Sequence, residues 1–218
     1  MTYKAVIFDF NGTLLWDTGY HNQAWDQFLD NHNIKLSDKE KSVKIHGKPN
    51  SDIFKGLFNG SLTSKEIEEM SQEKEQIYRN ICSDIQLELA PGAREFIHFL
   101  KSVSVDYAIA TSSCKGNVDF YLKKMNLSEW INPENIIYDD GSFKGKPHPD
   151  IFLKALQKIG HKAEDAVIFE DSLTGIKSAE NANAGKIIIV DSNNDNYGYL
   201  TYSKIKNFTE VDKSLFIK

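Results

Sequence analysis

The stretch KAVIFDFNGTLLWDT, residues 4–18, is the strongest indication of the fold in this sequence. Its apolar run AVIF, 5–8, has no polar alternation, which is typical of a strand buried on both faces of a sheet. The run stops at Asp9, and Asn11 and Gly12 follow closely. In open α/β sheets the ligand site lies just beyond the carboxyl ends of the strands. The stretch therefore predicts a buried strand that delivers a carboxylate to a functional site, although a lone Asp here could also cap a turn.

Composition narrows the class of protein. The chain has 218 residues, of which 40% are hydrophobic and 26% charged, as in a globular protein with one large domain or a core with a smaller insertion. Its 26 basic and 31 acidic side chains give a net charge of −5, so no basic surface for nucleic acid is indicated. No run approaches the ~18 apolar residues of a membrane span, and no charged-then-apolar leader precedes the first strand. We expect a cytoplasmic monomer that binds neither nucleic acid nor membrane.

The region 16–85 is predicted to be an all-helical insertion. Apolar residues recur there at spacings of three and four, which is the pattern of amphipathic helices. The last helix, SKEIEEMSQEKEQIYRNIC, is predicted to be rich in exposed charge. The helices are expected near residues 18–34, 37–45, 50–58 and 63–83, with a loop containing Gly and Pro at 46–51.

Helix and strand patterns alternate in the remainder of the chain. Strands separated by helices predict a parallel sheet covered on both faces, which is a doubly wound, Rossmann-like α/β fold. Residues 1–15 and 86–218 are expected to form this core, with 16–85 as a helical cap. The tail from Asn193 is polar and carries no firm prediction. The later strands are expected at 105–113, 135–140, 165–172 and 186–192.

Polar side chains with complementary chemistry stand at the strand ends and in the loops after them. Taken singly, Thr111 could cap a helix, Lys146 could be a surface lysine, and Glu170 and Asp171 could end a solvated strand. Together with Asp9 they supply carboxylate oxygens, a hydroxyl beside helix N–H donors and one cation. Carboxylates hold Mg²⁺, a helix N-terminus and a lysine neutralise phosphoryl oxygens, and an Asp can form an aspartyl-phosphate. The set predicts phosphoryl transfer.

Four motifs carry a family resemblance. In chain order, DFNGT, ATSS, GKPHPDIF and FEDSLTGIKSAENANAG resemble the motifs of the haloacid dehalogenase superfamily. Within it, the chain resembles the β-phosphoglucomutase-like phosphatases, which carry an α-helical cap inserted after the first strand. The resemblance extends to about Ser192, and it implies a Mg²⁺-dependent hydrolase with an α/β core.

The resemblance also implies metal-binding and catalytic roles. Asp9 resembles the nucleophile and a metal ligand, and the backbone carbonyl of Asn11 resembles a second ligand. Asp171 and Glu170 resemble the acidic residues at Mg²⁺. Lys146 resembles the lysine that bridges nucleophile and phosphate.

Further residues resemble the phosphate-binding and hinge positions of the family. Thr111, the N–H of Ser112 and Gly12 resemble the phosphate ligands beside Lys146. In the cap, the stretch YHNQAW resembles the mutase subgroup and puts His21 near the hinge.

Asn11 departs from the family pattern. The family has an Asp here that protonates the leaving alcohol and later activates water, and an amide can do neither. Loss of such a group typically costs ~10²–10⁴ in rate. Three explanations stay open: a natural enzyme whose substrate has a good leaving group, a phosphate-ester binder or engineered variant with little activity, and deamidation of Asn11 before Gly12. We favour a slow or specialised phosphatase.

The cap loop departs as well. Mutases of the subgroup carry an Arg that holds a second phosphate, and the matching position here is Asn50, with Lys48 nearby. Asn cannot supply the bidentate fork of Arg, and Lys replaces it only partly. Both residues stay candidates for substrate or phosphate binding. We expect a phosphatase of a small phosphorylated metabolite that works through an aspartyl-phosphate; the alternatives are a β-phosphoglucomutase-like phosphosugar mutase and a catalytically impaired phosphate-ester-binding protein.

Overall fold

The chain divides into two compact units. A computed structural model describes residues 2–45, 48–193 and 195–217. The first unit, here called the α/β unit, comprises Met1–Trp16 and Leu87–Lys218, and the second, the helical unit, comprises Asp17–Gln86. The predicted insertion, 16–85, is offset from the helical unit by one residue at each end. That the two units act as separate domains stays a prediction.

In the described part of the helical unit, four helices surround an aromatic core. The ring centroid of Phe54 lies 5.4 Å from that of Trp25 and 5.3 Å from that of Phe28. Two of the helices begin with a capping box, in which Ser37 and Thr63 each exchange hydrogen bonds with the residue three positions on. His46 and Gly47 of the predicted loop lie outside the described residues. The helices are α1 (Thr18–Asn31), α2 (Asp38–Lys44), α3 (Asn50–Leu57) and α4 (Ser64–Ser83).

The expectation that the charges of α4 are exposed is wrong for Lys74 and Glu75. Both side chains are buried, and Lys74 Nζ lies 2.8 Å from Glu75 Oε1. The ammonium group also lies over the ring of Trp25, 5.2 Å from its centroid. The two charges are buried because each satisfies the other and their neighbours supply further polar contacts.

A six-stranded parallel sheet forms the centre of the α/β unit and confirms the predicted doubly wound fold. The sixth strand lies in the polar tail, where no firm prediction was made. It was missed because the strand has three residues and only Ile205 is buried. In spatial order the strands are β3 (Ile136–Asp139), β2 (Asp106–Cys114), β1 (Ala5–Phe8), β4 (Ala166–Glu170), β5 (Lys186–Val190) and β6 (Ser203–Ile205).

The register of the central strands brings their carboxyl ends to one edge. Phe8, the last residue of β1, is opposite Ile109 of β2 and Phe169 of β4. Asp9 after β1, Thr111 near the end of β2 and Glu170 at the end of β4 therefore lie at the same edge, which is where ligands bind in open parallel sheets.

Where the structure describes it, the α/β unit also has four α-helices. Three of them bury residues of their apolar faces, such as Phe96, Phe152 and Ile176. The second helix of the unit begins at Lys115, directly after β2. In the described residues, no helix combines the length and the apolar character that crossing a bilayer requires. The helices are α5 (Ala93–Ser102), α6 (Lys115–Lys124), α7 (Asp150–Lys158) and α8 (Leu173–Asn181).

Candidate active site

Lys146 joins the ends of the two central strands. Its Nζ lies 2.6 Å from Asp9 Oδ1 and 2.5 Å from Glu170 Oε1. All three side chains are buried. The second oxygen of Glu170 accepts hydrogen bonds from the backbone N–H and hydroxyl of Ser172, at the start of α8. The lysine is thus fixed between two carboxylates that come from adjacent strands.

Asp171 completes a group of three carboxylates. Oxygen atoms of Asp9, Glu170 and Asp171 lie within 4.8 Å of one another, and we call these residues the carboxylate cluster. Asp171 Oδ1 accepts a hydrogen bond from the hydroxyl of Thr13, and Oδ2 accepts one from the amide of Asn193. Only oxygen donors are offered, and hard cations such as Mg²⁺ prefer oxygen ligands. The donor set therefore fits Mg²⁺.

Among the described residues, the carboxylates of the cluster outnumber the cations that contact them. Three carboxylates face the single ammonium of Lys146. Burial raises the pKa of Asp9 to about 7, with Lys146 opposing the shift and Glu170 adding to it. Burial, with the neighbouring charges of Glu170 and Asp9, also raises the pKa of Asp171 well above its usual value. A divalent cation would supply the missing positive charge and favour the ionised carboxylates.

Gly12 and Gly175 have no side chain, and this leaves space for the carboxylates of Asp171 and Glu170. Gly12 has a φ of +80°, and a Cβ there would lie 2.1 Å from Asp171 Oδ2. A Cβ on Gly175 of α8 would lie 1.6 Å from Glu170 Oε1. Any larger residue at either position would have to displace a carboxylate of the cluster.

A second set of hydrogen bonds holds the side chain of Asn11. Its Oδ1 accepts from the hydroxyls of Thr111 at 3.2 Å and Ser113 at 2.8 Å. Its Nδ2 donates to the hydroxyl of Tyr121 at 2.8 Å. The Thr111 hydroxyl also accepts from the backbone N–H of Ser113. These four residues, here called the Asn11 network, connect the loop after β1 with the end of β2 and with α6.

Ser112, Lys48 and Asn50 are also predicted site residues, but they lie outside the carboxylate cluster and the Asn11 network. Ser112 is exposed, next to Thr111 near the end of β2. Lys48 and Asn50 belong to the helical unit, where Lys48 is exposed and the amide of Asn50 donates to Glu75 Oε1 at 2.8 Å. Their binding roles stay predictions.

Several residues around the site were missed from the sequence. Ser113 and Tyr121 contact Asn11, and Asn193 and Tyr197 contact Asp171. The hydroxyl of Tyr197 donates to the backbone carbonyl of Asp171. Tyr197 is buried although it lies in the polar tail, and no pattern in the sequence separates it from the nearby Tyr199 and Tyr202.

Comparisons with known proteins agree with this geometry. The model of the haloacid dehalogenase-like hydrolases matches residues 6–189. The phosphorylated carbohydrates phosphatase of Thermotoga maritima is 26% identical over 193 residues, 88% of each chain. The β-phosphoglucomutase of Bacillus subtilis is 28% identical over 186 residues, 82% of this chain and 80% of that protein.

A solved structure matches almost the whole chain. The crystal structure of a haloacid dehalogenase hydrolase of family IA, variant 3, from Entamoeba histolytica has a TM-score of 0.89 and 33% identity. The match covers 97% of this chain and 96% of that one. Since the family model also spans most of the sequence, the chain belongs to the haloacid dehalogenase-like hydrolases.

Proposed function

We propose that the chain is a Mg²⁺-dependent phosphatase that removes phosphate from a small phosphorylated metabolite through a phosphorylated Asp9. The coarser statement, that it hydrolyses phosphoric monoesters, is supported by its family and by the phosphatase among its relatives. One observation carries the finer proposal: Lys146 is fixed between Asp9 and Glu170, beside a third carboxylate.

In the proposed reaction, Asp9 is the nucleophile. A carboxylate oxygen of Asp9 attacks phosphorus, the bond from phosphorus to the leaving oxygen breaks, and the leaving group takes the electron pair. Water then attacks phosphorus, and the bond between phosphorus and Asp9 breaks. Inorganic phosphate leaves, and Asp9 returns to its carboxylate form.

The neighbouring residues neutralise and orient the phosphoryl group in this proposal. Lys146 contributes positive charge next to the nucleophile, and the hydroxyl of Thr111 and the N–H of Ser112 supply hydrogen bonds. Mg²⁺, held by Asp9, Asp171 and the backbone carbonyl of Asn11, with Glu170 beside it, would supply further positive charge to the phosphoryl oxygens. A carboxylate could not approach a phosphate dianion without such neutralisation.

A phosphosugar mutase is the second candidate, because the Bacillus subtilis β-phosphoglucomutase is among the relatives. We rank it lower because a mutase must hold a second phosphate. Asn50, the predicted position for that contact, donates its amide to Glu75 within the helical unit. The remaining expectations, a cytoplasmic monomer that binds neither nucleic acid nor membrane, belong to this proposal as well.

Phosphate release from a panel of substrates tests the function. Sugar phosphates, acyl phosphates and nucleotides are incubated with the wild-type protein, with and without Mg²⁺. We expect release that needs Mg²⁺ and is lost in Asp9→Asn, since an amide is not a nucleophile of comparable strength. Conversion of one sugar phosphate into its isomer, followed by NMR, would instead support the mutase.

Asp119→Asn is the matched control for Asp9→Asn. Asp119 is exposed and pairs with Lys115 on α6, so the same chemical change should leave phosphate release unaltered. If every substrate gave equal release from the wild type and from Asp9→Asn, the phosphatase proposal would fail.

A further inference from the structure

The amide of Asn11, two residues after Asp9 in the sequence, is held in place by hydrogen bonds. The Asn11 network satisfies its oxygen with two hydroxyls and directs its nitrogen to a third. Because an amide neither gives up nor takes a proton at neutral pH, Asn11 can orient neighbouring groups but cannot act as a general acid or base.

The ionisable side chains near Asp9, which are those of Lys146, Glu170 and Asp171, form hydrogen bonds with other residues. Lys146 Nζ donates hydrogen bonds to Asp9 Oδ1 and to Glu170 Oε1. The oxygens of Glu170 accept from Lys146 and Ser172. Asp171 accepts from Thr13 and Asn193. Each of these groups thus has a hydrogen-bond partner, and the residue two positions after Asp9 carries an amide, which cannot protonate a departing alkoxide.

Building on the proposed function, we infer that the chain acts on phosphoryl compounds whose leaving group departs as a stable anion, such as acyl, enol and aryl phosphates, and that phosphorylated Asp9 accumulates during turnover. Simple alkyl phosphates are poor substrates on this account. Their leaving alkoxide would have to be protonated as its bond to phosphorus breaks.

The amide of Asn11 affects the transfer of phosphate to Asp9 and the hydrolysis of phosphorylated Asp9 differently. With a stable leaving anion, the attack of Asp9 and the cleavage of the phosphorus–oxygen bond proceed without an acid. In the second step water attacks the phosphorylated Asp9, and its proton must pass to bulk water because Asn11 cannot accept it. The second step is therefore slowed, by ~10²–10⁴-fold if the full contribution of a general base is missing.

A conservative substitution at Asn11 can test this inference. Asn11→Asp keeps the size and shape of the side chain. Its partners in the Asn11 network are the hydroxyls of Thr111, Ser113 and Tyr121, and each hydroxyl can donate to a carboxylate oxygen after rotation. Asn11→Ala is the matched control, because it removes the amide without introducing an acid.

The test compares leaving groups. In the presence of Mg²⁺, kcat/KM is measured for acetyl phosphate, para-nitrophenyl phosphate, phenyl phosphate and glycerol phosphate. For the wild type we expect kcat/KM to fall steeply from the first two to glycerol phosphate. Asn11→Asp should raise kcat/KM for glycerol phosphate by ~10²–10⁴-fold relative to para-nitrophenyl phosphate, whereas Asn11→Ala should keep the wild-type ratio.

Rapid mixing tests the second step. With para-nitrophenyl phosphate the wild type should release a burst of phenolate close to the enzyme concentration, followed by a slow steady state. Mass spectrometry of the quenched protein should find the phosphate on the peptide containing Asp9. Asn11→Asp should lose the burst because hydrolysis of the phosphorylated Asp9 becomes fast.

The outcomes separate this inference from the proposed function. If the wild type hydrolyses glycerol phosphate as well as para-nitrophenyl phosphate, or shows no burst, the inference is overturned even if Asn11→Asp fails to fold. If phosphate release depends on Asp9 but Asn11→Asp leaves the ratio of substrates unchanged, the inference is also overturned and the phosphatase stands. If no substrate gives release that depends on Asp9 in any variant, the proposed function itself falls.

Discussion

The two units of the chain each bury a lysine beside a carboxylate, but they do so with different balances of charge. In the helical unit Lys74 meets one carboxylate, that of Glu75, which also accepts from Asn50. In the α/β unit Lys146 meets two carboxylates, with a third close by. In this matched pair one cation contacts one carboxylate, whereas the carboxylates of the cluster outnumber the ammonium group that contacts them, so a cationic ligand can pair with the cluster.

The pKa values follow this difference. Burial would raise the pKa of Glu75, but Lys74 and His21, with hydrogen bonds from Lys74 and Asn50, lower it to about 2. Burial raises the pKa of Asp9 to about 7 despite Lys146. A buried carboxylate is thus stabilised as an anion where charges match and destabilised where they do not. We infer that the first arrangement maintains the fold and the second serves chemistry.

The largest effect is expected for the nucleophile of the carboxylate cluster. Asp9→Asn should reduce phosphate release by roughly 10³-fold or more, since the covalent route is lost. The thermal midpoint should not fall, because the change removes one of three crowded negative charges. Steady-state kinetics and thermal unfolding on the same preparation check both statements. A variant that is inactive only because it is unfolded would contradict the account.

Removing the cation of the Lys74–Glu75 pair should mainly lower the free energy of unfolding. Lys74→Met leaves Glu75 buried without its cation, and we expect the free energy of unfolding to fall by ~3–5 kcal/mol. Urea unfolding measures this loss. The control is Lys65→Met on the same helix, because Lys65 and Glu69 form an exposed pair 3.5 Å apart. Loss of that pair should cost less than ~1 kcal/mol, and equal losses in the two variants would refute a special role for the buried pair.

Acid should weaken the helical unit through Glu75. Its pKa is lower in the folded state, about 2, than the usual 4.5, so its contribution is present above pH 4.5 and is lost as the pH falls towards 2. The full shift corresponds to about 3 kcal/mol. His21, Lys74 and Asn50 are the groups that face Glu75. In Glu75→Gln the acid-dependent loss should be smaller by this amount, as urea unfolding at several pH values would record; identical pH profiles would argue against the pairing.

A steric change in the α/β unit should have a smaller effect on stability. Gly175→Ala puts a methyl group against Glu170 and should cost ~1–3 kcal/mol and weaken Mg²⁺ binding, because the carboxylate must move. Gly56→Ala is the control. A Cβ there meets nothing within 4 Å, and alanine is favoured in helices, so the helical unit should be stabilised by up to ~1 kcal/mol. Calorimetric unfolding of both variants measures the contrast.

Apart from β6, the sequence predicted the main helices and strands of both units, and in the α/β unit it also indicated where the candidate site lies. The run before Asp9 and the alternation of strands and helices were sufficient to predict a parallel sheet. Because strand ends meet at one edge, Asp9, Thr111 and Glu170 could be expected near each other, and the structure brings them to the same edge. Strong local patterns and a simple topological rule account for this success.

Other features depend on contacts that no local pattern encodes. Lys74 and Glu75 lie in a helix crowded with charge, so nothing in the pattern separates them from its exposed residues. Tyr121 and Tyr197 reach their partners from α6 and from the polar tail, across long distances in the sequence. Such pairings become visible only when the fold brings the elements together.

Calorimetric titration with Mg²⁺ tests the central claim, that unbalanced buried charge in the α/β unit forms a metal site. The wild type and Glu75→Gln should bind one Mg²⁺ with the same affinity, because Glu75 belongs to the matched pair. Asp171→Asn should lose most of the binding, because it removes a carboxylate from the cluster. Unchanged binding in Asp171→Asn, or its loss in a folded Glu75→Gln, would contradict the account.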